Sequence, residues 1–412
     1  MNVVVSIDYR YFGTPDGAVW SPTNCGYSFW LRYLEVFDSV RIVSRVCQVD
    51  SVPSNYQRVD GENVSVAAIP FYVGPTQYLQ KYFQVQQAVK NAINKDDAVI
   101  LRIPSNVANC VYDWVIRNNH PYALEVIGDP YNFFAPGTVK HPLRPFFRNW
   151  FTEKMKKQCL DSAANGYVTK EALQQRYPGS EQTYCTYYSD VELSDAAFVS
   201  AAHSFDNQSD KLTLITVGTL QNFCKGIDVL IDALAICIQQ GLNLELVVVG
   251  DGCHREDFKA QAKKLGIEDR VFFRGYLPTG KAVYEQLDMA DLFILASRQE
   301  SLPRAVVEAM ARGLPCIGSD IGGIPELLAD EDLVSPGSVN ELATKIKEVV
   351  TKPERMSQMA SRNLQTSKDY NEKLLQQRRL DFYKYVRAKT ASWQENQKDV
   401  LRVNSTAIPT IK

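Results

Sequence analysis

The fold is decided by the stretch LELVVVGDG, residues 244–252. Its apolar run Leu244–Val249 leads directly into a glycine-containing turn, as buried strands of parallel sheets often do. Segments of helical length flank it, Gly226–Gln240 before the strand and Glu256–Leu265 after it. This alternation predicts an α/β protein with a doubly wound parallel sheet, in which ligands bind beyond the carboxyl ends of the strands.

The same alternation of strands and helices extends over most of the chain. Further strands are predicted at Val3–Ile7, Val40–Arg45, Val64–Ile69, Ala98–Ile103, Tyr122–Ile127, Gly166–Thr169, Leu212–Val217, Leu292–Leu295 and Pro315–Ser319. A polar segment interrupts the pattern near the middle of the chain. We therefore predict a first domain at 1–193, a linker at 194–210, a second domain at 211–368, a further helix at 369–390 and a flexible tail at 391–412.

Composition narrows the class of protein. The chain has 412 residues, of which 45% are hydrophobic, and a formal net charge of −2, which argues against a nucleic-acid binder. Its nine cysteines are scattered without a CxxC pair, a pattern that predicts reduced thiols and neither a disulfide framework nor a zinc site. Neither a signal peptide nor an apolar run of membrane-spanning length is found in the sequence. We expect a cytoplasmic protein that can lie at the inner face of the membrane.

Two glutamates, Glu300 and Glu308, mark the stretch 297–310 as a candidate site. If both were helical, their spacing would separate them by about 80° around the axis and about 12 Å along it. Ser301 is a candidate helix N-cap, and Pro303 suits a first helical turn. The free amides and partial positive charge of a helix start favour phosphate. The stretch is therefore predicted to hold a nucleotide-sugar by its sugar hydroxyls, diphosphate and ribose.

Two loops of the first half are further candidates. Gly26, at the end of Asn24-Cys25-Gly26, precedes a helix and can present amides to a phosphate or an acceptor, although a plain turn explains it equally well. Asp129 directly follows a predicted strand and is the best-placed acid of this half. Its alternative interpretation is an Asx turn before Pro130.

The segment 142–157 mixes basic and aromatic side chains. Its members are Arg144, Phe146, Phe147, Arg148, Trp150, Phe151, Lys154, Lys156 and Lys157. This mixture suits a peripheral helix that meets anionic lipid headgroups. The alternative is an ordinary amphipathic helix, with its aromatic side chains in the core and its basic side chains in water.

An ordered series of short motifs between Leu212 and Leu328 resembles the family-4 retaining glycosyltransferases of the GT-B fold. The series is Val217-Gly218, Lys225-Gly226-Ile227-Asp228, Val247–Gly252, Arg274-Gly275-Tyr276, Ala290-Asp291, Ser297–Met310 and Asp320–Glu326. The resemblance implies two Rossmann-like doubly wound domains facing a central cleft, and a C-terminal helix that crosses back to the first domain. It also implies a nucleoside-diphosphate-sugar donor, no metal and no other cofactor.

The resemblance assigns roles to individual residues. Glu300 is expected on the donor-sugar hydroxyls, Glu308 on the ribose, and Lys225 on the diphosphate. The remaining donor-site residues are the amides of Ser301 and Leu302 near the diphosphate or sugar, Gly218 and Thr219 in the phosphate-side turn, and Arg274 and Gly275 near the base. Glu300, Lys225 and Asp129 are the expected catalytic residues.

Two positions depart from the family pattern. Thr219 stands where many members have an arginine, so neutralisation of the phosphates must depend on Lys225 together with Arg298 or Arg304. Gly128-Asp129 stands where many members have a histidine, which changes the acceptor side of the site.

The favoured function is transfer of a hexose, with retained anomeric configuration, from a nucleoside-diphosphate-sugar to a hydroxyl of a polysaccharide, lipid-linked or other glycoconjugate acceptor. The setting would be biosynthesis of cell-envelope polysaccharide. The alternative is a non-catalytic GT-B protein that binds a nucleotide-sugar as a partner or scaffold. The two departures favour this alternative, while the presence of Glu300, Glu308 and Lys225 opposes it.

Overall fold

The structure, a computed structural model, describes residues 1–23, 25–135, 141–191, 193–205 and 211–406, with side chains as far as residue 399. Within these ranges the chain forms a nine-stranded sheet followed by a six-stranded sheet. All strands pair in parallel apart from two short antiparallel additions to the first sheet. The predicted α/β class with two parallel sheets is confirmed.

The first sheet is built from the first half of the chain. Its strands are β1 (Val3–Gly13), β2 (Val19–Ser21), β3 (Val40–Gln48), β4 (Gln57–Arg58), β5 (Val64–Pro70), β6 (Ala98–Ile103), β7 (Ala123–Val126), β8 (Ala164–Tyr167) and β9 (Tyr184–Tyr187). Its helices are α1 (Tyr27–Leu34), α2 (Gly74–Ala92), α3 (Asn106–Arg117), α4 (Pro130–Phe133), α5 (Arg144–Asp161) and α6 (Ala172–Arg176). The parallel strands lie in the order β5-β3-β1-β6-β7-β8-β9.

Helices cover both faces of this sheet, as the alternation of side chains along β1 shows. Val3 and Val5 point into a core shared with α1, whereas Val4 points into the opposite core. That opposite core contains Val85 of α2, Val107 of α3 and residues of α5. Burial on both faces is why the strands appear in the sequence as continuous apolar runs.

The second sheet follows the same plan. Its strands are β10 (Leu212–Val217), β11 (Leu244–Val249), β12 (Val271–Gly275), β13 (Leu292–Leu295), β14 (Cys316–Ser319) and β15 (Leu333–Val334), in the order β12-β11-β10-β13-β14-β15. Its helices are α7 (Ile227–Gln239), α8 (Arg255–Lys264), α9 (Lys281–Asp288), α10 (Arg304–Ala311), α11 (Val339–Val350) and α12 (Pro353–Ser367). One-turn 3-10 helices lie at Asp195–Ala197, Phe223–Lys225, Glu268–Arg270, Asp330–Asp332 and Lys368–Tyr370.

The last helix, α13 (Glu372–Thr406), returns to the first sheet, as the resemblance implies. The Tyr383 hydroxyl donates a 2.9 Å hydrogen bond to Glu125 of β7, and Arg379 donates to the Ser189 carbonyl oxygen at 3.0 Å. The helix continues as far as Thr406, into the tail expected at 391–412, whose flexibility stays a prediction; residues 407–412 lie outside the described residues. No helix in the described part of the chain is both long and apolar enough to span a bilayer.

The chain passes between the two sheets twice at one place. Leu193 and Asn371 form a parallel bridge, and the Glu372 amide donates to the Leu193 carbonyl oxygen at 2.9 Å. The two crossings therefore lie side by side. The predicted domain boundaries stay predictions, and residues 206–210 of the predicted linker lie outside the described ranges.

Candidate functional site

A cleft of about 480 Å³ opens at the carboxyl ends of β10 and β11, where a parallel sheet is expected to bind ligands. One wall is formed by the turn after β10, with Gly218, Thr219 and Lys225. The opposite wall is formed by the stretch from Glu300 to Glu308. Residues that lie far apart in sequence, but were predicted to share a donor site, are thus brought together.

Lys225 and Glu300 form an ion pair across this cleft. Their side chains are 24% and 8% exposed, respectively, and the Ser297 hydroxyl also donates to Glu300 at 3.0 Å. Gly226 places Lys225 here: its φ is +66°, and a Cβ at this position would lie 1.9 Å from the Ala296 carbonyl oxygen. Only glycine allows the lysine turn to pack this closely against the end of β13.

The start of α10 differs from the expected one. Pro303 is the N-cap residue and makes no side-chain cap, so the prediction of Ser301 as the N-cap is wrong. Glu300 consequently lies in a loop and not on the helix. Among the described residues, the backbone amides of Ser301 and Leu302 have no protein acceptor. They remain available to a phosphate or a sugar oxygen.

A second loop supports this one from behind. The Gly323 amide donates to the Ser301 carbonyl oxygen at 2.6 Å, which fixes the backbone between Glu300 and the helix. Gly322 has a φ of +61°, and a Cβ here would lie 2.2 Å from the Glu300 carbonyl oxygen. Residue 322 therefore has to be glycine, because any side chain there would displace Glu300.

Glu308 lies within α10, beyond the loop that holds Glu300, and it lines the same cleft. Its burial raises the pKa of the carboxyl group, and the nearby Arg304 guanidinium partly offsets that rise. A half-buried carboxylate of this kind gains most from ligand hydroxyls that donate hydrogen bonds to it.

Four other residues that were predicted to bind the donor or the acceptor either make local backbone contacts or lie outside the lining of this cleft. Thr219 lines the cleft, but its hydroxyl accepts a 3.3 Å hydrogen bond from the Gln221 amide, as in a local turn. Arg274 and Gly275 are not among the described residues that line the cleft; Arg274 is exposed, and the Gly275 carbonyl oxygen accepts from Gly250 at 2.8 Å. Gly26 is the N-cap of α1 and packs against Gln57. Its neighbour Asn24 lies outside the described residues.

Asp129 faces the site from the first sheet and is held tightly. Its carboxylate forms an ion pair with Arg176 and accepts hydrogen bonds from the Tyr177 hydroxyl at 2.6 Å and the Tyr131 amide at 2.9 Å. These contacts include those of the Asx turn that was the alternative interpretation. Both oxygens are engaged, and Asp129 as a catalytic acid or base stays a prediction.

A smaller cleft of about 380 Å³ joins the two halves at the Glu300 end. Asp129 and Arg176 line it from the first half, and Ser301 lines it from the second. Glu326 crosses the same boundary: its carboxylate accepts from the amides of Ala172 at 2.8 Å and Lys170 at 2.5 Å. Arg176 and the role of Glu326 were not predicted, since no local pattern in the sequence connects them to their partners.

A wider cleft of about 900 Å³ lies at the Glu308 end. The first half contributes rings and amides, including Tyr9, Phe29 and Gln57, and the second half contributes Tyr276 and Tyr284. Rings beside hydrogen-bonding amides are a surface suited to sugars and other polar ring systems.

An ion-pair network lies along the wider cleft, whose lining includes Asp190 and Arg32. Asp190 contacts Arg32 at 2.9 Å and Arg102 at 2.9 Å. Burial alone would raise the pKa of Asp190, but the two guanidinium groups outweigh it and lower that pKa to about 2. The carboxylate is therefore ionised at all physiological pH values.

The basic and aromatic segment forms most of α5. Some of its aromatic side chains are exposed, as a membrane contact requires, and others are packed against the protein, as in an ordinary amphipathic helix. Phe146 and Trp150 are 60% and 45% exposed, whereas Phe151 stacks on Phe134 with ring centroids 5.5 Å apart. Arg148 turns back to the Tyr131 carbonyl oxygen at 2.9 Å. The outer face that remains, with its exposed rings and lysines, is the part that can meet another surface.

The structure contains further groups whose chemistry bears on cofactors. All nine cysteines are free thiols. The described residues contain no cluster of three or more His, Cys, Asp or Glu side chains arranged to hold a metal ion. The expectation that the reaction needs no metal stays a prediction.

Comparison with known proteins shows what the part of the chain that contains this cleft is similar to. Residues 201–366 match the family described as Glycosyl transferases group 1. Over 352 residues the chain is 28% identical to the protein CapJ of Staphylococcus aureus, covering 84% of this chain and 86% of CapJ. Other curated relatives match over shorter stretches; an uncharacterized glycosyltransferase of Haemophilus influenzae, for example, is 29% identical over 40% of this chain and 47% of its own length.

Solved structures agree on the architecture. HepE from Anabaena, in complex with UDP and glucose, has a TM-score of 0.62 at 16% identity, covering 92% of this chain and 98% of HepE. WaaG, a glycosyltransferase involved in lipopolysaccharide biosynthesis, has a TM-score of 0.59 at 18% identity, covering 91% of this chain and 97% of WaaG. At these identities the likeness establishes the fold alone. The chain therefore has the GT-B fold, and its residues 201–366 are similar to the family described as Glycosyl transferases group 1.

Proposed function

We propose that the protein transfers a hexose from a nucleoside-diphosphate-sugar to a hydroxyl group of a glycan or lipid-linked acceptor, with retention of anomeric configuration. One observation carries the proposal: Gly218, Lys225, Glu300, Leu302 and Glu308 line a single cleft of about 480 Å³. That volume is within the range of small-molecule sites. HepE, with the same fold, has been solved with UDP and glucose, which supports a nucleotide-sugar as the donor.

The chemistry follows from the charges in the cleft. Departure of the nucleoside diphosphate builds negative charge on its outer phosphate. The Lys225 ammonium group and the free amides of Ser301 and Leu302 are fixed before the reaction begins, so they stabilise this charge without reorganising. Glu300 would then exchange part of its contact with Lys225 for hydroxyls of the donor sugar. Because both oxygens of Asp129 are occupied, we assign deprotonation of the acceptor hydroxyl to the departing phosphate.

The acceptor would enter from the side of the first sheet. The wider cleft, lined by Tyr9, Phe29 and Gln57, offers rings for stacking and amides for hydroxyl groups. The likeness in fold to WaaG, which is involved in lipopolysaccharide biosynthesis, supports an acceptor that belongs to a cell-envelope polysaccharide.

The surface of α5 bears on where in the cell the protein acts. Leu143, Phe146 and Trp150 are 56%, 60% and 45% exposed, and Lys157 is exposed nearby. Exposed rings and lysines together favour contact with an anionic bilayer, since the rings enter the interfacial region and the ammonium groups meet the headgroups. We propose peripheral attachment to the inner face of the membrane through this helix.

A turnover assay tests the proposed function. UDP-glucose, UDP-N-acetylglucosamine and GDP-mannose are incubated separately with the protein and a membrane extract as acceptor, and released nucleoside diphosphate is measured. Glu300→Gln is expected to lower release by about 100-fold or more, because loss of the carboxylate that holds the donor-sugar hydroxyls misplaces the reacting carbon. The matched control, Glu285→Gln, alters a 60% exposed glutamate on α9 and should leave release unchanged.

Two results would decide against the proposal. Binding of a nucleotide-sugar without release under any acceptor would favour the non-catalytic scaffold. A product of inverted configuration at the anomeric carbon, read from its NMR coupling constants, would reject retention while leaving the transfer itself intact.

A further inference from the structure

The charged residues that line the 480 Å³ cleft suit a diphosphate only if a cation other than Lys225 also binds it. The charged residues that line it are the cations Lys225 and Arg304 and the carboxylates Asp251, Glu300 and Glu308. Lys225 is already paired with Glu300. These carboxylates outnumber the cations, so the negatively charged diphosphate of a nucleotide-sugar adds to an excess of negative charge. Arg304 is the remaining cation among the described residues of the lining.

The other candidate cation, Arg298, is committed elsewhere. Its guanidinium group donates two hydrogen bonds to Asp228, at 2.7 and 2.6 Å, and a third to the Phe223 carbonyl oxygen at 2.8 Å. These hydrogen bonds to Asp228 also raise the pKa of Arg298. Arg298 therefore supports the lysine turn from behind and does not face the cleft.

Arg304 has the opposite character. It is the first residue of α10 and is exposed, and within the described part of the chain its side chain makes no hydrogen bond or ion pair. It lies four residues before Glu308, so the two side chains share one face of the helix. Their proximity appears in the pKa of Glu308, which burial raises and Arg304 lowers. The guanidinium group thus lies beside the predicted ribose contact, at the positive end of a helix.

We infer that Arg304 binds the diphosphate of the nucleotide-sugar and supplies the positive charge that Thr219 does not. The inference rests on the proposed function and deepens it by naming a second cation of the leaving-group site. A guanidinium group can donate two parallel hydrogen bonds to phosphate oxygens, which a lone ammonium group cannot do in a fixed plane. In this arrangement Lys225 and Arg304 contact the diphosphate from the two walls of the cleft.

A binding experiment with the full chain separates the phosphate contacts from the rest of the nucleotide. The probes are UDP, UMP and uridine, measured by isothermal titration calorimetry on wild type, Arg304→Gln and Arg304→Lys. Arg304→Gln is expected to weaken UDP by about 10- to 100-fold, the usual size of a lost charge-assisted contact, and uridine by less than about threefold. Arg304→Lys should fall between wild type and Arg304→Gln. Arg270→Gln, a partly exposed arginine of the same half, is the matched control and should match wild type.

The outcomes are distinguishable. Equal loss of UDP and uridine affinity, or unchanged UDP affinity, would overturn the role of Arg304. Unchanged UDP affinity combined with a lower kcat/KM for the acceptor would instead assign Arg304 to an anionic group of the acceptor in the wider cleft. If neither UDP nor the corresponding GDP and ADP probes bind wild type, the proposed function fails and this inference fails with it.

Discussion

Replacement of Lys225 by methionine is expected to separate stability from catalysis. The change removes an ammonium group that pairs with Glu300, whose side chain is 8% exposed, and leaves that carboxylate with the Ser297 hydroxyl at 3.0 Å. Breaking a fully buried ion pair costs about 3–5 kcal/mol. Lys225 is 24% exposed at an open cleft, so water can solvate the carboxylate that remains. We therefore expect the free energy of unfolding to fall by about 1–3 kcal/mol.

Turnover should fall further than stability. Without the ammonium group, the charge that builds on the departing diphosphate loses one fixed partner, which costs about 3–4 kcal/mol of barrier, or 10²- to 10³-fold in kcat. Urea unfolding measures the first quantity, and release of nucleoside diphosphate at saturating donor measures the second.

The double variant Lys225→Met with Glu300→Gln provides the control. It removes both charges, so its stability should return towards wild type while its activity stays low. The reasoning would be refuted if Lys225→Met kept turnover within about threefold of wild type, or if the double variant recovered activity along with stability.

The remaining predictions concern packing, membrane, pH and metal. Tyr383→Phe removes a 2.9 Å hydrogen bond to the buried carboxylate of Glu125 and should lower the free energy of unfolding by about 1.5–3 kcal/mol, measured by urea titration, without changing donor affinity. Lys157→Gln should weaken binding to vesicles containing phosphatidylglycerol by about fivefold, as one lysine contributes about 1 kcal/mol near such a surface; Lys281→Gln is the control, and equal binding to neutral vesicles would reject the membrane contact. Burial raises the pKa of Glu308, so the carboxyl group takes up its proton at a higher pH than an ordinary glutamate; nucleotide affinity should fall as the pH is lowered through that pKa, and Glu308→Gln should lose this part of the pH dependence in calorimetric titrations, keeping only the titration of the phosphate itself. Turnover is expected to persist in EDTA, and a strict need for a divalent cation would contradict it.

The parts of the fold that could be predicted from sequence are those that burial alone decides. Leu244–Val249 and Leu292–Leu295 form strands with the predicted bounds, because apolar runs covered on both faces end where polar or glycine-containing turns begin. The extension of β1 to Gly13 was missed, since its outer half is held by pairing with β2 and β3. A two- or three-residue strand carries no pattern of its own, and only its tertiary partner makes it a strand.

The same distinction applies to the site. Lys225, Glu300 and Glu308 were identified because their order and spacing form a pattern along the chain, and the structure brings all three to one cleft. Arg176, the partner of Asp129, was not identified, because it lies 47 residues away and no local rule connects the two. The N-cap was misplaced for a related reason: the Gly323 amide holds the backbone at Ser301, and that contact comes from a later loop.

The return of α13 to the first sheet has a consequence for biosynthesis. Glu125 of that sheet accepts a hydrogen bond from Tyr383, which is made more than 250 residues later in translation. While the ribosome is still producing the second half, the first half therefore exposes a groove beside β8 and β9 and has an incompletely bonded carboxylate in its interior. The sheet that is synthesised first is completed last. A chain that stops before residue 372 should for this reason leave the first sheet and its helices, and not the second, as the preferred substrate of chaperones and proteases.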